Sequence, residues 1–320
     1  MTSEASAGQA AKEHGSRAWW FSLLIPAVAL VEAGAHVIQI NSRIAPEDWR
    51  GARNAVQDAV KNSGDTDGVI IAPRWAEPTA RAEFGRELAT LERMAPGDFQ
   101  RYRRVVELSV RGEHATEVAS WPIAEEKRFG KIAVRIHTNP SYEGRVVDLL
   151  SPFEPARATT VSFGTADCPY SRGPMQTGNL GFGPAIPGDR FNCPNGALAG
   201  MTVIADLTYR PRRCILARAG QEGSPLRVTF HDVEIGKFLV GHHGIYAEHE
   251  RNLDGAPIAL EARVNDQLVG RDTHVDGQAW KEFRFPTNGF PQRANVEFAL
   301  TSPNAARRAY CFEATTRGVP

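Results

Sequence analysis

Residues 46–73, PEDWRGARNAVQDAVKNSGDTDGVIIAP, read as a helix followed by a strand. Pro46, Glu47 and Asp48 suit a first helical turn, where a missing N–H costs nothing and carboxylates favour the positive end of the helix dipole. Trp49, Ala52, Val56, Ala59 and Val60 then recur at helical spacing and make one apolar face, which predicts a helix ending near Asn62 to Gly64. Val69 to Ala72 form a continuous apolar run closed by Pro73, the pattern of a strand buried on both faces. Together they define an α/β unit.

The residues downstream extend it. A second helix is predicted over Thr79 to Met94, with Phe84, Leu88 and Leu91 inward and Pro96 and Gly97 as its stop. A helical turn over Phe99 to Arg104 and the strand-like runs RVVELSV (104–110) and KIAVRIHT (131–138) follow, so the α/β unit is expected to span 41–150. From about Arg157 the texture changes. ATTVSF (158–163), MTVIADL (201–207), LRVTF (226–230), IALEARV (258–264), NVEFAL (295–300) and YCFEAT (310–315) are short runs separated by Gly, Pro, Asn and Asp. That spacing predicts an antiparallel, jelly-roll-like β-sandwich over 151–320, with a hairpin turn at Asn265-Asp266. The fold class expected is therefore α+β and multidomain.

Upstream of residue 41 the chain has a different character. Residues 1–17 are polar and small and read as a disordered tail, whereas 18–40 contain the one strongly apolar run. Ala18 to Ile40 is 23 residues, close to the ~20 needed to cross a bilayer, with Glu32 and His36 in its outer half and Trp19 and Trp20 at the inner interface. A single membrane span is the leading reading. Alternatives are a signal peptide cleaved after Ala35, whose uncharged core is Ala18 to Val31, and a buried soluble helix. Either of the first two exports the rest of the chain.

The four cysteines, Cys168, Cys193, Cys214 and Cys311, are even in number and confined to the second half, which fits an oxidising compartment. The Gly/Pro-rich segment between Cys168 and Cys193 has too few apolar residues to hold its own shape, so these two are expected to pair, leaving Cys214 for Cys311. No cysteine or histidine spacing matches a zinc site, and no metal or other cofactor is expected. Lys plus Arg balances Asp plus Glu at 37 each, so no net field steers the chain towards nucleic acid.

Three stretches can carry a ligand. In APRWAEPTAR (72–81), Arg74, Trp75 and Glu77 directly follow a strand, where open α/β sheets bind ligands, and they offer a fork donor, an aromatic face and an acceptor to a sugar. The plainer reading packs Trp75 on a neighbouring domain. In VGHHGIYAEHE (240–250), His242, His243 and Tyr246 are candidates for a ligand or pH-sensitive surface, set against a tight turn at Gly241 and Gly244 with partly exposed structural histidines. Trp280 begins a strand and either stacks on a sugar or fills the sandwich core. No serine-hydrolase elbow, phosphate loop, zinc-protease helix or dinucleotide pattern occurs, so catalysis has no sequence signature here.

The helix and strand at 46–73 resemble the extracytoplasmic soluble region of dolichyl-phosphate-mannose-type membrane glycosyltransferases, in which a DWR-A-A helix precedes a GD-V strand. The chain departs from that family in having one candidate span in place of a bundle and no acidic first extracytoplasmic loop. The resemblance implies a membrane-anchored, non-catalytic accessory protein of the cell envelope, with an envelope glycan or glycosyltransferase machinery as its partner. The strand texture of the second half is similar to carbohydrate-binding β-sandwich modules, a likeness of fold that implies no particular function.

Overall fold

The computed structural model describes residues 24–36, 43–61, 67–85, 95–151, 153, 158–178, 183–218 and 224–318. Helix α1 covers 24–36, and its residues are exposed throughout. Among the described residues no helix is long and apolar enough to cross a membrane, so the expected span at 18–40 is not seen. The tail at 1–17 and the remainder of 18–40 lie outside the described residues.

The first layer is built as residues 46–73 dictate. Helix α2 (Pro46–Val60) buries Trp49, Ala52, Ala55, Val56 and Val60. Strand β1 (Asp67–Ala72) is buried along its whole length. A four-stranded sheet follows the order β1, β2 (Arg104–Val110), β4 (Ile132–Thr138) and β3 (Ile123–Phe129), with β1 and β2 parallel and the other pairs antiparallel. Strand alternation assigns the two faces. Val69, Ile71, Val106 and Leu108 pack against α2 and against Ala80 and Phe84, while Ile70, Ala72 and Val105 pack with Tyr102 and Trp121. Helix α3 runs from Glu77 to Phe84, two residues ahead of the expected start, because Pro78 suits its first turn. Of its expected inner residues Phe84 is buried, and Leu88 and Leu91 lie outside the described residues.

The second layer consists of β5 (Arg145–Asp148), β6 (Thr159–Phe163), β7 (Ala166–Asp167), β8 (Tyr170–Ser171), β9 (Arg190–Asn192), β10 (Leu198–Ala205), β11 (Pro211–Arg218), β12 (Leu226–Glu234), β13 (Phe238–Ile245), helix α4 (Ala247–Glu250), β14 (Ile258–Val264), β15 (Gln267–His274), β16 (Lys281–Pro286), β17 (Arg293–Thr301) and β18 (Tyr310–Arg317). They form two antiparallel sheets. One runs β16-β13-β18-β11-β10-β9-β8, with β5 also on β18, and the other runs β15-β14-β17-β12-β6-β7. Phe230, Phe298 and Leu260 from the second sheet meet Ile215, Phe283 and Phe312 from the first in one core, which makes the pair a sandwich. Asn265 and Asp266 turn β14 into β15 with φ of 46° and 65°, the left-handed pair that a two-residue hairpin requires. Both disulfides form as paired above, Cys168 with Cys193 and Cys214 with Cys311.

The first sheet of the sandwich has an outer face that the α/β layer covers. Along β18 the odd residues Cys311, Glu313, Thr315 and Arg317 point outward, and the even ones Tyr310, Phe312 and Ala314 point into the core. Arg101 of the α/β layer pairs with Asp148 and with Glu313, the latter at 3.4 Å, and Arg317 pairs with Asp98. Asp98, Arg101, Glu313 and Arg317 are buried, and Asp148 is partly exposed at the edge of this ionic seam. Burial pushes the Asp98 carboxyl up, but Arg317, His242 and the Gln100 N–H together outweigh it and hold the carboxyl below its ordinary range.

Candidate functional site

The parallel pairing of β1 with β2 puts their carboxyl ends side by side, with Ala72 opposite Ser109. A cavity of about 360 Å³ opens there, between the α/β layer and the start of β11. Its apolar floor includes Ile70, Ala72, Pro96 and Phe99. Three loops wall it, and each has an identifiable anchor.

The first wall follows β1. Arg74 and Trp75 form a short 3-10 turn running directly into α3, and Trp75 is 57% exposed in spite of its size. The Arg111 guanidinium sits 5.4 Å from the Trp75 ring centroid, a cation–π distance. Glu77 accepts two hydrogen bonds from Arg81, at 3.0 and 2.5 Å.

The second wall is the 113–117 loop after β2, held by the fully buried Glu107. The Ala115 N–H donates to Glu107 at 2.6 Å, and His137 Nε2 lies 2.9 Å from its other oxygen. Burial pushes the Glu107 carboxyl up, yet these hydrogen bonds outweigh it and the net shift is downward.

The third wall comes from the sandwich. Asp206 accepts the backbone N–H groups of Thr208 at 2.8 Å and Arg210 at 3.0 Å, and takes Arg212 Nε at 2.8 Å. The walls are tied to one another. Arg74 donates to the Thr208 carbonyl at 2.8 Å, Arg210 pairs with Glu117, and Arg212 reaches the Pro96 and Gly97 carbonyls at 3.3 Å. Burial, and then the neighbouring Arg212 and Arg74, push Arg210 below its ordinary value. The result is a cleft with an exposed aromatic ring, guanidinium donors and the carboxylates Glu77, Glu113 and Glu117 at its edge.

Of the residues singled out in the sequence, Arg74, Trp75 and Glu77 share this cleft, and the others stand elsewhere. His242 and His243 are not on a tight turn: Gly241 and Gly244 lie inside β13. A side chain at Gly241 would meet Phe283, and one at Gly244 would meet Trp280, so these glycines permit close packing on a strand. Alternation then sends the two histidines in opposite directions. His242 faces outward, with Nδ1 2.9 Å from Glu313. His243 is fully buried between the sheets, with Nε2 3.0 Å from Asp272 and Nδ1 2.8 Å from the Tyr310 hydroxyl. Tyr246 packs edge-on against His249. Trp280 precedes β16, half-buried on the outer face with the Arg212 guanidinium 5.8 Å from its ring, so it belongs to the seam between layers. Among the described residues no three or more His, Cys, Asp or Glu side chains are grouped to hold a metal ion.

The residues missed from the sequence are Arg210 and Arg212. Their signal was the basic run YRPRRC (209–214), which enters β11 directly before a disulfide cysteine.

No known family matches the chain, and no curated protein does. The resemblance to dolichyl-phosphate-mannose-type glycosyltransferases is accordingly unsupported; the helix and strand that suggested it form a common α/β pairing. Solved structures do match. The CBM51-2 and INT domains of Clostridium perfringens ZmpB, in complex with GlcNAc, are 8% identical with a TM-score of 0.31, covering 61% of this chain and 40% of that one. A CBM51 from Clostridium perfringens GH95, in complex with methyl-galactose, is 11% identical with a TM-score of 0.26, covering 49% of this chain and 100% of that one. A glycoside hydrolase family 43 arabinoxylan arabinofuranohydrolase from Bacillus subtilis is 15% identical with a TM-score of 0.26, covering 38% of this chain and 25% of that one. Carbohydrate-binding modules thus recur among the neighbours, at likenesses too slight to assign a ligand.

Proposed function

We propose that this chain is a non-catalytic glycan-binding protein of the cell envelope, which holds a sugar in the cleft at the carboxyl ends of β1 and β2. The observation that carries this is Trp75. A large aromatic residue left 57% exposed, on a turn fixed by α3 and beside an apolar-floored cavity of about 360 Å³, is what a sugar ring needs for stacking. Arg74 and the Glu113 carboxylate supply a donor and an acceptor for hydroxyl groups around that ring. Two disulfides support an extracytoplasmic setting, since such bonds persist in oxidising compartments. On this reading the apolar run at 18–40 either tethers the chain as a single span or is removed after Ala35.

An exported carbohydrate hydrolase is the second reading, because three carboxylates line the same cleft. Against it, Glu77 is occupied by Arg81 and Glu117 by Arg210, whereas hydrolysis needs two carboxyl groups facing the scissile bond. Equilibrium binding to a panel of envelope polysaccharides, with Trp75→Ala and Trp280→Ala variants, tests the proposal. Binding is expected to fall with Trp75→Ala and to persist with Trp280→Ala. Release of reducing sugar by the wild-type chain favours hydrolysis.

A further inference from the structure

We propose that Tyr209 is a second stacking platform beside Trp75, which makes the ligand of the cleft an extended oligosaccharide. Tyr209 serves in this way only if Trp75 stacks on a sugar, as proposed above, and it extends that site along the chain of the ligand. It stands in the turn between β10 and β11, within the 206–210 segment that forms the third wall. Like Trp75 it is a large aromatic residue left on the surface, 52% exposed.

The turn demands an unusual backbone of this residue. Tyr209 has a φ of 59°, a left-handed conformation that glycine takes freely and a bulky side chain seldom does. Hydrogen bonds impose it: the Tyr209 N–H donates to the Asp206 carbonyl at 2.7 Å, and the Asp206 carboxylate accepts the N–H groups of Thr208 and Arg210 on either side. A strained position that nonetheless keeps an exposed ring points to use of the ring itself. The ring is also held in place. Its hydroxyl donates to Glu248 at 3.1 Å and accepts from Arg251, whose guanidinium lies 5.7 Å from the ring centroid. Glu248 belongs to α4, and that helix is pinned by the fully buried Glu250, which accepts the Ala279 N–H at 2.8 Å. A surface aromatic fixed beforehand loses little freedom when a ligand stacks on it.

One hydrogen bond sets Tyr209 relative to Trp75. Exposed Arg74 donates to the Thr208 carbonyl at 2.8 Å, and Trp75 and Tyr209 are the next residues along from these two partners. Consecutive Cα atoms lie about 3.8 Å apart, so the Cα atoms of the two aromatic residues fall within about 20 Å of each other. They stand on different walls: the cavity of about 360 Å³ is lined by Trp75 on one side and by Arg210 on the other. Each ring has its own arginine against it, Arg111 for Trp75 and Arg251 for Tyr209. Two platforms on facing walls suit successive units of one saccharide chain. Between them Arg74 spends one N–H on Thr208, and its guanidinium carries further donors for hydroxyl groups of an intervening unit.

Calorimetric titration of the full chain tests this with N-acetylglucosamine and with galactose, each as monomer, dimer and hexamer. In the series that binds, the hexamer is expected to bind at least about tenfold more tightly than the monomer. Tyr209→Ala is expected to weaken the hexamer about tenfold and to leave the monomer within about twofold, whereas Trp75→Ala weakens both. Tyr209→Phe keeps the ring and removes the hydroxyl, and it is expected to hold the hexamer within about threefold of wild type. A residue that merely fixes the turn through Glu248 and Arg251 would lose as much with phenylalanine as with alanine. Equal binding of monomer and hexamer by the wild type, hexamer binding unchanged in Tyr209→Ala, or a Tyr209→Phe variant as weak as Tyr209→Ala would overturn the proposal. Hexamer binding lost in Trp75→Ala but kept in Tyr209→Ala sinks the second platform and leaves the first standing. Binding unchanged in Trp75→Ala, or no saturable binding of either series, sinks both.

Discussion

His243 makes the stability of the sandwich depend on pH in a window that its carboxylates do not share. Its ring is fully buried between the two sheets, with the His274 ring 5.2 Å away and Asp272, Tyr310 and Lys281 around it. A carboxylate partner at Nε2 and a hydroxyl at Nδ1 suit the neutral ring protonated on Nε2. Burial is the largest influence and His274 adds to it; together they outweigh Asp272 and push the imidazole down to about 4. An unfolded histidine titrates near 6.5, so between about pH 6.5 and 4 the unfolded chain binds a proton that the folded chain refuses. Stability is therefore complete above 6.5 and falls as the pH drops towards 4. The full shift corresponds to about 3 kcal/mol, of which about 2 kcal/mol is lost between pH 7 and 4.5. Urea unfolding at pH 7, 6, 5 and 4.5 measures this, with His243→Gln as the reference. The variant is expected to be less stable at pH 7 yet flatter with pH by about 2 kcal/mol. Equal losses in both proteins over that range would refute the reasoning.

The remaining predictions concern the staples and the seam. Replacing Cys214 and Cys311 by alanine opens a 97-residue loop and is expected to cost about 4 to 5 kcal/mol, more than opening the 25-residue loop between Cys168 and Cys193, as measured by chemical denaturation. Thiol titration of the denatured, unreduced protein is expected to find no free thiol; titration of four would remove both bridges. Arg101→Met takes the guanidinium from both Asp148 and Glu313, leaving the buried Glu313 with His242 as its remaining partner, and is expected to cost about 3 kcal/mol by the same denaturation measurement, because losing one partner of a buried ion pair costs far more than losing a surface pair.

Local patterns were legible wherever one chain segment decides its own environment. The α2 face, the buried run in β1, the hairpin at Asn265-Asp266 and both cysteine pairs follow from spacing and composition within short stretches. The placement of Trp75 beside a cleft at a strand's carboxyl end follows from the same logic. What resisted reading depends on partners far along the chain. Arg101 meets Glu313 across 212 residues, and Arg210 reaches Glu117 across 93. The opposite fates of His242 and His243 required knowing that Gly241 and Gly244 sit within a strand, because glycine's usual meaning is a turn. Trp280 allowed two readings, a sugar platform or part of the sandwich core, and it takes neither place: it packs on the outer face beside Arg212, where the α/β layer closes over it.

The central claim rests on Trp75 as a platform for a sugar. Equilibrium binding of envelope polysaccharides to the full chain, compared between wild type and Trp75→Ala, tests it most directly. Saturable binding by the wild type, weakened at least tenfold by the substitution, or about 1.4 kcal/mol, is the predicted result. Equal affinities in the two proteins, or no binding by either, would contradict it.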